Sequence, residues 1–541
     1  MPRAPLAGEP GSVGTAEDWA VAGAALMAGR WDEAAASYEA LAEEGTDPRA
    51  QEGLAQVGWW RDDAAVALGA REAAYRGFRA RGDDRGAARA AAALGYDSML
   101  FGRGVAVGRG WLTRAEHLLD ARRDVPEAGW QAVRQAEVAL NVDHDASAGL
   151  AAATRAAEVG RLVSDGTLTI VGRALEGLAR VRRGDVVGGM PLLDEAVVAA
   201  VAGDVDDLMW MGKICCWLIN ACQDAHDLDR AAEWCAHVQD ICAERDLAPL
   251  FAVCRTQYAS VLMARGRPLE AESTLIDVLA RSRGSRRASR LDAVAQLGEL
   301  RRRQGRLEEA EDLLGQAGCR TSAVTSLARV HLERGEASRA WETVEELLRT
   351  IPADQALERV DPLAVAVAAG LAVGHVSGAE RAAEELATTA ARVGTPALVA
   401  HAGAARARLE EAPGAVRHWR DVARGFRSAG LIFDEADARI ELGAALRTCD
   451  DESGAREQEV LARGILRLVR PDRSPGEHLG LTQRQVEVLR LLARGLSNAA
   501  IAEELHLSHH TVHRHVANVY LTLDVASRAA AAAYAVRHGL S

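Results

Sequence analysis

The sequence predicts an all-α protein: a long array of helical hairpins stacked into a superhelix, followed by a small helical module at the C-terminal end. Three observations carry this. Hydrophobic residues make up 49% of the chain but aromatics only 4%, with much Ala, Leu and Arg, a composition suited to closely packed helices. Proline is scarce between Asp18 and Val469, and no alternating strand pattern stands out there. A short turn theme recurs near every 40 residues. At 541 residues the chain exceeds what one core serves, so repeats or several domains are required.

The elements follow in order. Residues 1–14 are rich in Pro and Gly and read as a disordered leader. Residues 15–470 read as the repeat array. Its theme begins with Gly or His and ends, five residues on, with Ala or Gly. It occurs at Gly29–Ala34, Gly82–Ala87, Gly110–Ala115, Gly184–Gly189 and His226–Ala231. It continues at Gly266–Ala271, Gly305–Ala310, Gly335–Ala340 and Gly374–Ala379. From 184 onward the starts are 42, 40, 39, 30 and 39 residues apart. The physical logic is local. Gly closes one helix in a left-handed cap, an acidic residue opens the next against its dipole, and the Ala lets the two approach. A lone hairpin cannot bury its apolar face, so neighbours stack.

Residues 471–477 contain Pro471, Pro475 and Gly476 and read as a linker, leaving 478–541 as the last module. Thr482 caps its first helix, with Gln485 completing a capping box and Val486, Leu489, Leu492 and Ala493 as the apolar stripe. Gly495 ends it. Ser497 caps a short helix carrying Ile501 and Leu505, and His506-Leu507 turns the chain. Ser508 caps a third helix, on which Val512, Val516, Val519 and Leu523 recur at steps of 4, 3 and 4 along one face. A fourth helix follows Ser527-Arg528. The opposite face of the third helix carries His509, His513, Arg514, Ala517 and Asn518. A capped helix with a small or basic outer face is built to lie in a groove of nucleic acid.

The charge is uneven. The net charge is −13, yet from His478 onward six Arg face four acidic residues, a local +2 against about −15 for the rest. Only the tail suits DNA. One lysine, Lys213, stands among the basic residues; the others are Arg. Six of the eight Cys lie between 215 and 254 without paired C-x-x-C spacing, which suits small core residues better than zinc ligands. With no signal segment and no 18-residue apolar run, a reduced, cytoplasmic protein is expected.

Two resemblances follow from these residues. The turn and small-residue pattern of the array resembles tetratricopeptide repeats, at a spacing longer than the 34-residue unit. The tail resembles the LuxR-type helix-turn-helix domain. The shared positions are Leu481-Thr482-Gln483-Arg484-Gln485, Glu487-Val488-Leu489, Gly495-Leu496-Ser497-Asn498 and Ile501-Ala502. They continue through Leu507-Ser508, Thr511-Val512, His515, Asn518-Val519, Leu523, Val525 and Arg528. That resemblance implies four helices, the third in the major groove and the fourth used for dimerisation. It places His513, Arg514 and Ala517 at base edges, and Ser508, Thr511, His515 and Asn518 at the backbone. Arg514 suits guanine, whose O6 and N7 match its planar fork. Thr482 and Asn498, at helix starts, suit phosphate.

Other chemistry is disfavoured. A phosphate loop needs G-x-x-x-x-G-K-[ST]; Lys213 follows Gly212, but Asp207 and Ile214 occupy the other two positions. No receiver domain or catalytic constellation is apparent, so neither an enzyme nor a cofactor is expected. His509 and His513 are spaced like a metal pair but lack a carboxylate or thiolate companion. The sequence therefore predicts a transcriptional regulator whose repeat groove takes a peptide, small-molecule or protein signal. Its partners would be promoter DNA, bound as a homodimer, and RNA polymerase or another protein. A repeat scaffold with a non-specific tail is the alternative. Five His between 506 and 515 further predict that DNA affinity rises as pH falls.

Overall fold

The computed structural model describes residues 15–44, 47–120, 122–205, 207–245, 248–283, 285, 287–469, 483–505, 509–523, 525 and 527–537. The expected leader (1–14) and linker (471–477) lie outside them. Among the described residues the regular structure is helical throughout. The first hairpins are α1 (Ala16–Met27) with α2 (Trp31–Glu44), α3 (Pro48–Trp60) with α4 (Ala64–Ala80), and α5 (Asp84–Leu100) with α6 (Val105–Leu119). Next come α7 (Pro126–Asn141) with α8 (Ala146–Leu162), α9 (Gly166–Arg182) with α10 (Val186–Ala202), and α11 (Leu208–Asp224) with α12 (Leu228–Arg245). Then follow α13 (Ala248–Ala264) with α14 (Pro268–Arg281), α15 (Ala288–Arg303) with α16 (Leu307–Ala317), and α17 (Thr321–Glu333) with α18 (Ala337–Thr350). The array closes with α19 (Val360–Ala372) and α20 (Val376–Val393), α21 (Pro396–Leu409) and α22 (Ala412–Ser428), and α23 (Ile432–Thr448) and α24 (Glu452–Leu466). Contacts divide the chain into two compact units between Ala462 and Arg463, within α24. The expected boundary at 470 falls among residues not described.

The turn theme works as expected at eight of its nine positions. Gly29, Gly82, Gly184, His226, Gly266, Gly305, Gly335 and Gly374 have φ between 54° and 86°. A backbone N–H three residues past the helix then bonds back into it, as from Asp185 to the Arg180 carbonyl at 2.9 Å and from Glu336 to that of His331 at 2.8 Å. The theme alanines Ala34, Ala87, Ala231, Ala271, Ala310, Ala340 and Ala379 are each 0% exposed. At Gly189 even a methyl group would not fit: a Cβ would lie 2.6 Å from the Gly177 carbonyl oxygen.

Gly110 corrects the list. It lies inside α6, and that helix is instead preceded by Gly102 and Gly104, at φ 74° and 116°. Other left-handed turns carry no glycine: Asp62, His144, Ser164 and Asp450 have φ of 57°, 50°, 57° and 60°. Each of these is followed by an Asp whose carboxylate accepts from the next helix's backbone N–H groups, as Asp63 does from Ala65 and Val66, both at 3.0 Å. The cap supplies what the glycine would have made easier.

From α5 to α21 each odd-numbered helix touches the next odd-numbered one as well as its hairpin partners. The odd helices form an inner layer. The array also meets itself after about five hairpins. Arg287 Nε lies 2.7 Å from Asp62 Oδ1, and its Nη2 donates to the Trp59 carbonyl. Ser147 Oγ donates to Asp354 at 2.6 Å, and Gln355 to the His144 carbonyl at 2.5 Å. Thr395 Oγ1 donates to the Ala225 carbonyl at 3.0 Å.

The second unit holds α25 (Gln483–Ala493), α26 (Asn498–Glu504), α27 (His509–Thr522) and α28 (Arg528–Arg537). The expected stripe is its core: Val512, Val516, Val519 and Leu523 are at most 8% exposed, packed with Val486, Leu489, Leu492, Ile501, Ala531 and Ala535. Val488 and Leu491 are buried as well, so α25 is enclosed on more than the one expected face.

Candidate functional site

The second unit presents a short capped helix, a turn and a longer helix. Ser497 Oγ accepts from the Ala500 N–H at 3.2 Å, opening α26, and Gly495 at φ 84° ends the preceding segment. Ser527 opens α28 the same way, accepting from Ala530 at 3.2 Å. With Val512 and Val516 turned inward, His513 and Asn518 are exposed on α27 and His515 is half-buried. Thr511, Arg514 and Ala517 lie on α27, but their side chains, like residues Thr482 and Ser508, fall outside the description. Asn498 is the first residue of α26, and its Oδ1 accepts from Arg528 Nη1 at 3.1 Å.

Residues 479–535 match the model of the bacterial regulatory proteins, luxR family. This segment is a LuxR-type helix-turn-helix domain. The relatives below match over 60 to 100 residues of the chain. The transcriptional regulatory protein LnrK of Bacillus subtilis (strain 168) is 48% identical over 67 residues, 12% of this chain and 30% of that protein. LiaR of the same strain is 35% identical over 100 residues, 18% of this chain and 47% of that protein. The response regulator VraR of Staphylococcus aureus (strain Mu3 / ATCC 700698) is 43% identical over 60 residues, 11% and 29% of the two chains. The chain thus spans a third to a half of the curated relatives it matches. Among solved structures, the APC/C hetero-tetramer Cut9-Hcn1 aligns at 13% identity over 91% of this chain and 92% of that one, with a TM-score of 0.41. A Rap protein complexed with competence and sporulation factor aligns at 12% identity over 76% and 100%, with a TM-score of 0.38.

Apart from the LuxR-type domain, the first unit encloses a groove of about 820 Å³ along its inner layer. Residues of the odd-numbered helices from α3 to α23 make most of its wall. Six cationic side chains and seven carboxylates line it, so it carries no net pull on a polyanion and suits a compact ligand with polar groups of both signs.

The electrostatics differ along its length. At one end Lys213 Nζ donates to Glu137 Oε1 at 2.5 Å, while Arg134 holds the other Glu137 oxygen at 2.6 Å. Burial draws the Lys213 ammonium down to about 8, with Arg134 adding to the effect and Glu137 opposing it. Near the other end His401 stands edge-on to His226, with ring centres 5.3 Å apart. Burial, reinforced by His226, lowers the His401 imidazole to about 4. Burial raises the Asp361 carboxyl, but Arg329 at 2.8 Å outweighs it and keeps the group below the usual carboxylate range.

Sequence reasoning missed the groove residues, because they come from helices up to several hundred positions apart. One signal was available. Lys213 is the single lysine of the chain, in an array whose other basic side chains are all Arg.

Proposed function

We propose that the chain is a DNA-binding transcriptional regulator whose repeat unit receives an effector and whose LuxR-type domain binds promoter DNA in the major groove. One observation carries this reading: the domain at 479–535 pairs a buried apolar stripe on α27 with an exposed His513 and Asn518. His513, Arg514 and Ala517 would read bases. Thr482, Asn498, Ser508, Thr511, His515 and Asn518 would hold the backbone, Asn498 through its side-chain amide. Half-sites would be met by a homodimer, with RNA polymerase or another protein beside it. The lightly charged recognition helix gives few phosphate contacts, so two domains acting together supply the affinity that one lacks.

The test is genome-wide occupancy of the wild type and of an Arg514→Ala, His513→Ala variant. Discrete peaks that vanish in the variant are expected. A wild type without discrete sites would overturn the reading in favour of a scaffold. Deletion of the repeat unit, leaving DNA affinity and promoter output unchanged, would overturn effector reception alone.

A further inference from the structure

One end of the groove holds the only lysine among the 64 Lys and Arg residues of the chain. A guanidinium would serve a buried carboxylate better, because it forms paired hydrogen bonds and keeps its proton. Lys213 nevertheless occupies an enclosed cationic position, 8% exposed. An ammonium offers two things that a guanidinium lacks: compactness, and the ability to lose a proton and become a nucleophile.

The surroundings of Nζ use both. It lies 4.4 Å from the centre of the Tyr96 ring, 5.0 Å from Trp210 and 6.0 Å from Trp59. Glu137 is in direct hydrogen-bond contact at 2.5 Å, fixed on its far side by Arg134. The other charged or titratable groups near Nζ are Tyr96 and Asp97 on α5, with Arg71 bonded to Asp97, and Asp207 before α11. Arg287 stacks on Trp59, 4.2 Å from its ring centre. The burial that lowers Lys213 to about 8, and the cation beside it, are the conditions that make a lysine amine reactive near neutral pH. Trp59, 4% exposed, lines the groove beside Lys213, as do Tyr96 and Glu137.

We propose that Lys213 is the attachment point of a planar aldehyde that enters the groove and condenses with Nζ to an imine. The Lys213 ammonium passes a proton to Glu137. The free amine attacks the aldehyde carbon, forming the C–N bond, while the carbonyl π pair moves to oxygen. A proton moves from nitrogen to that oxygen, giving a carbinolamine. Glu137 returns its proton to the hydroxyl, which leaves as water, and the nitrogen lone pair closes the C=N bond. The products are one protonated imine and one water, and the imine stays paired with the Glu137 carboxylate. No oxidant or reductant is consumed. Tyr96 and Trp59 line the groove beside the flat adduct, and Trp210 lies against Nζ on the same helix.

This rests on the groove being the effector site, and the test separates the two ideas. Full-length protein is incubated with salicylaldehyde and sodium cyanoborohydride at pH 7.5, beside Nα-acetyllysine amide, and adducts are located by peptide mass mapping. Lys213 is expected to be alkylated at least about tenfold faster than the free amine, because its lower proton affinity leaves far more of it unprotonated, with a rate that saturates in aldehyde. Glu137→Gln is expected to lower the saturating rate more than it changes the half-saturating concentration. Reaction no faster than the free amine, or only after unfolding in urea, overturns the lysine site and leaves the regulator reading standing. An adduct that forms as expected but leaves DNA affinity unchanged overturns effector reception alone.

Discussion

His401 shows how much of the chemistry here is decided by surroundings. It stands between His226 and the edge of Phe426, whose ring centre is 4.9 Å away. Its imidazole is lowered from 6.5 to about 4, chiefly by burial and then by His226. The unfolded chain therefore takes up a proton near pH 6.5 while the folded one does so only near 4. The stability contributed by neutral His401 is complete above about 6.5 and is lost as pH falls towards 4. Its ceiling is about 3 kcal/mol at 1.36 kcal/mol per pKa unit, and groove water reduces it. Between pH 6.5 and 5 the repeat unit of the wild type should lose thermal stability, and His401→Phe, which keeps the ring packing, should lose less. Equal slopes for the two proteins would exclude His401 as the cause. On α27 the sense is reversed. Five His lie between 506 and 515, and imidazoles as a class gain positive charge as pH falls, so if this segment meets DNA as proposed, affinity should rise several-fold from pH 7.5 to 6. Fluorescence anisotropy at fixed salt measures this, and a flat wild-type profile would exclude it.

At the scale of the element, glycines that look alike in sequence do opposite things. Gly335 sits at φ 78° with nothing within 4 Å of where a Cβ would lie, so its constraint is the backbone alone. Gly335→Ala should cost about 1 kcal/mol, the left-handed penalty of roughly 1–2 kcal/mol reduced by a stiffer unfolded chain. Gly110 is mid-helix, exposed and uncrowded, so Gly110→Ala should stabilise by about 0.5–1 kcal/mol. Urea unfolding of the two variants gives the comparison, and the same sign for both would refute it. The pair also marks how far the sequence could be read. Half of the hairpin turns were legible because glycine announced them. The turns at Asp62, His144, Ser164 and Asp450 were not, because there the left-handed residue is polar and the following Asp cap does the stabilising. The stripe Val512, Val516, Val519 and Leu523 was legible in full, since a single amphipathic helix encodes its own buried face. Lys213 and its rings were illegible as a site, since only Trp210 shares α11 with Lys213, whereas Trp59, Tyr96 and Glu137 come from three other helices.

At the scale of the whole molecule, the repeat unit departs from a simple one-dimensional stack. In such a stack each repeat meets only its neighbours, and the ends fray independently of the middle. Here α3 is tied to the segment before α15 through Arg287, which pairs with Asp62, donates to the Trp59 carbonyl and stacks on the Trp59 and Phe101 rings at 4.2 and 5.1 Å. Residues 225 positions apart thereby share one fate. The tie also fixes Trp59, one wall of the groove, so the groove's shape depends on closure of the array. Removing a buried partner leaves its counter-charge unpaired, at a cost of about 3–5 kcal/mol that is smaller here because Asp62 is partly exposed. Arg287→Ala should therefore do more than lower the overall stability. The first hairpins should unfold ahead of the rest, so that native-state hydrogen exchange in α3 accelerates by orders of magnitude while α19 and α20 keep their protection. If protection fell evenly from α3 to α20, the contacts at His144, Gln355 and Thr395 would suffice to hold the array closed, and Arg287 would contribute only locally.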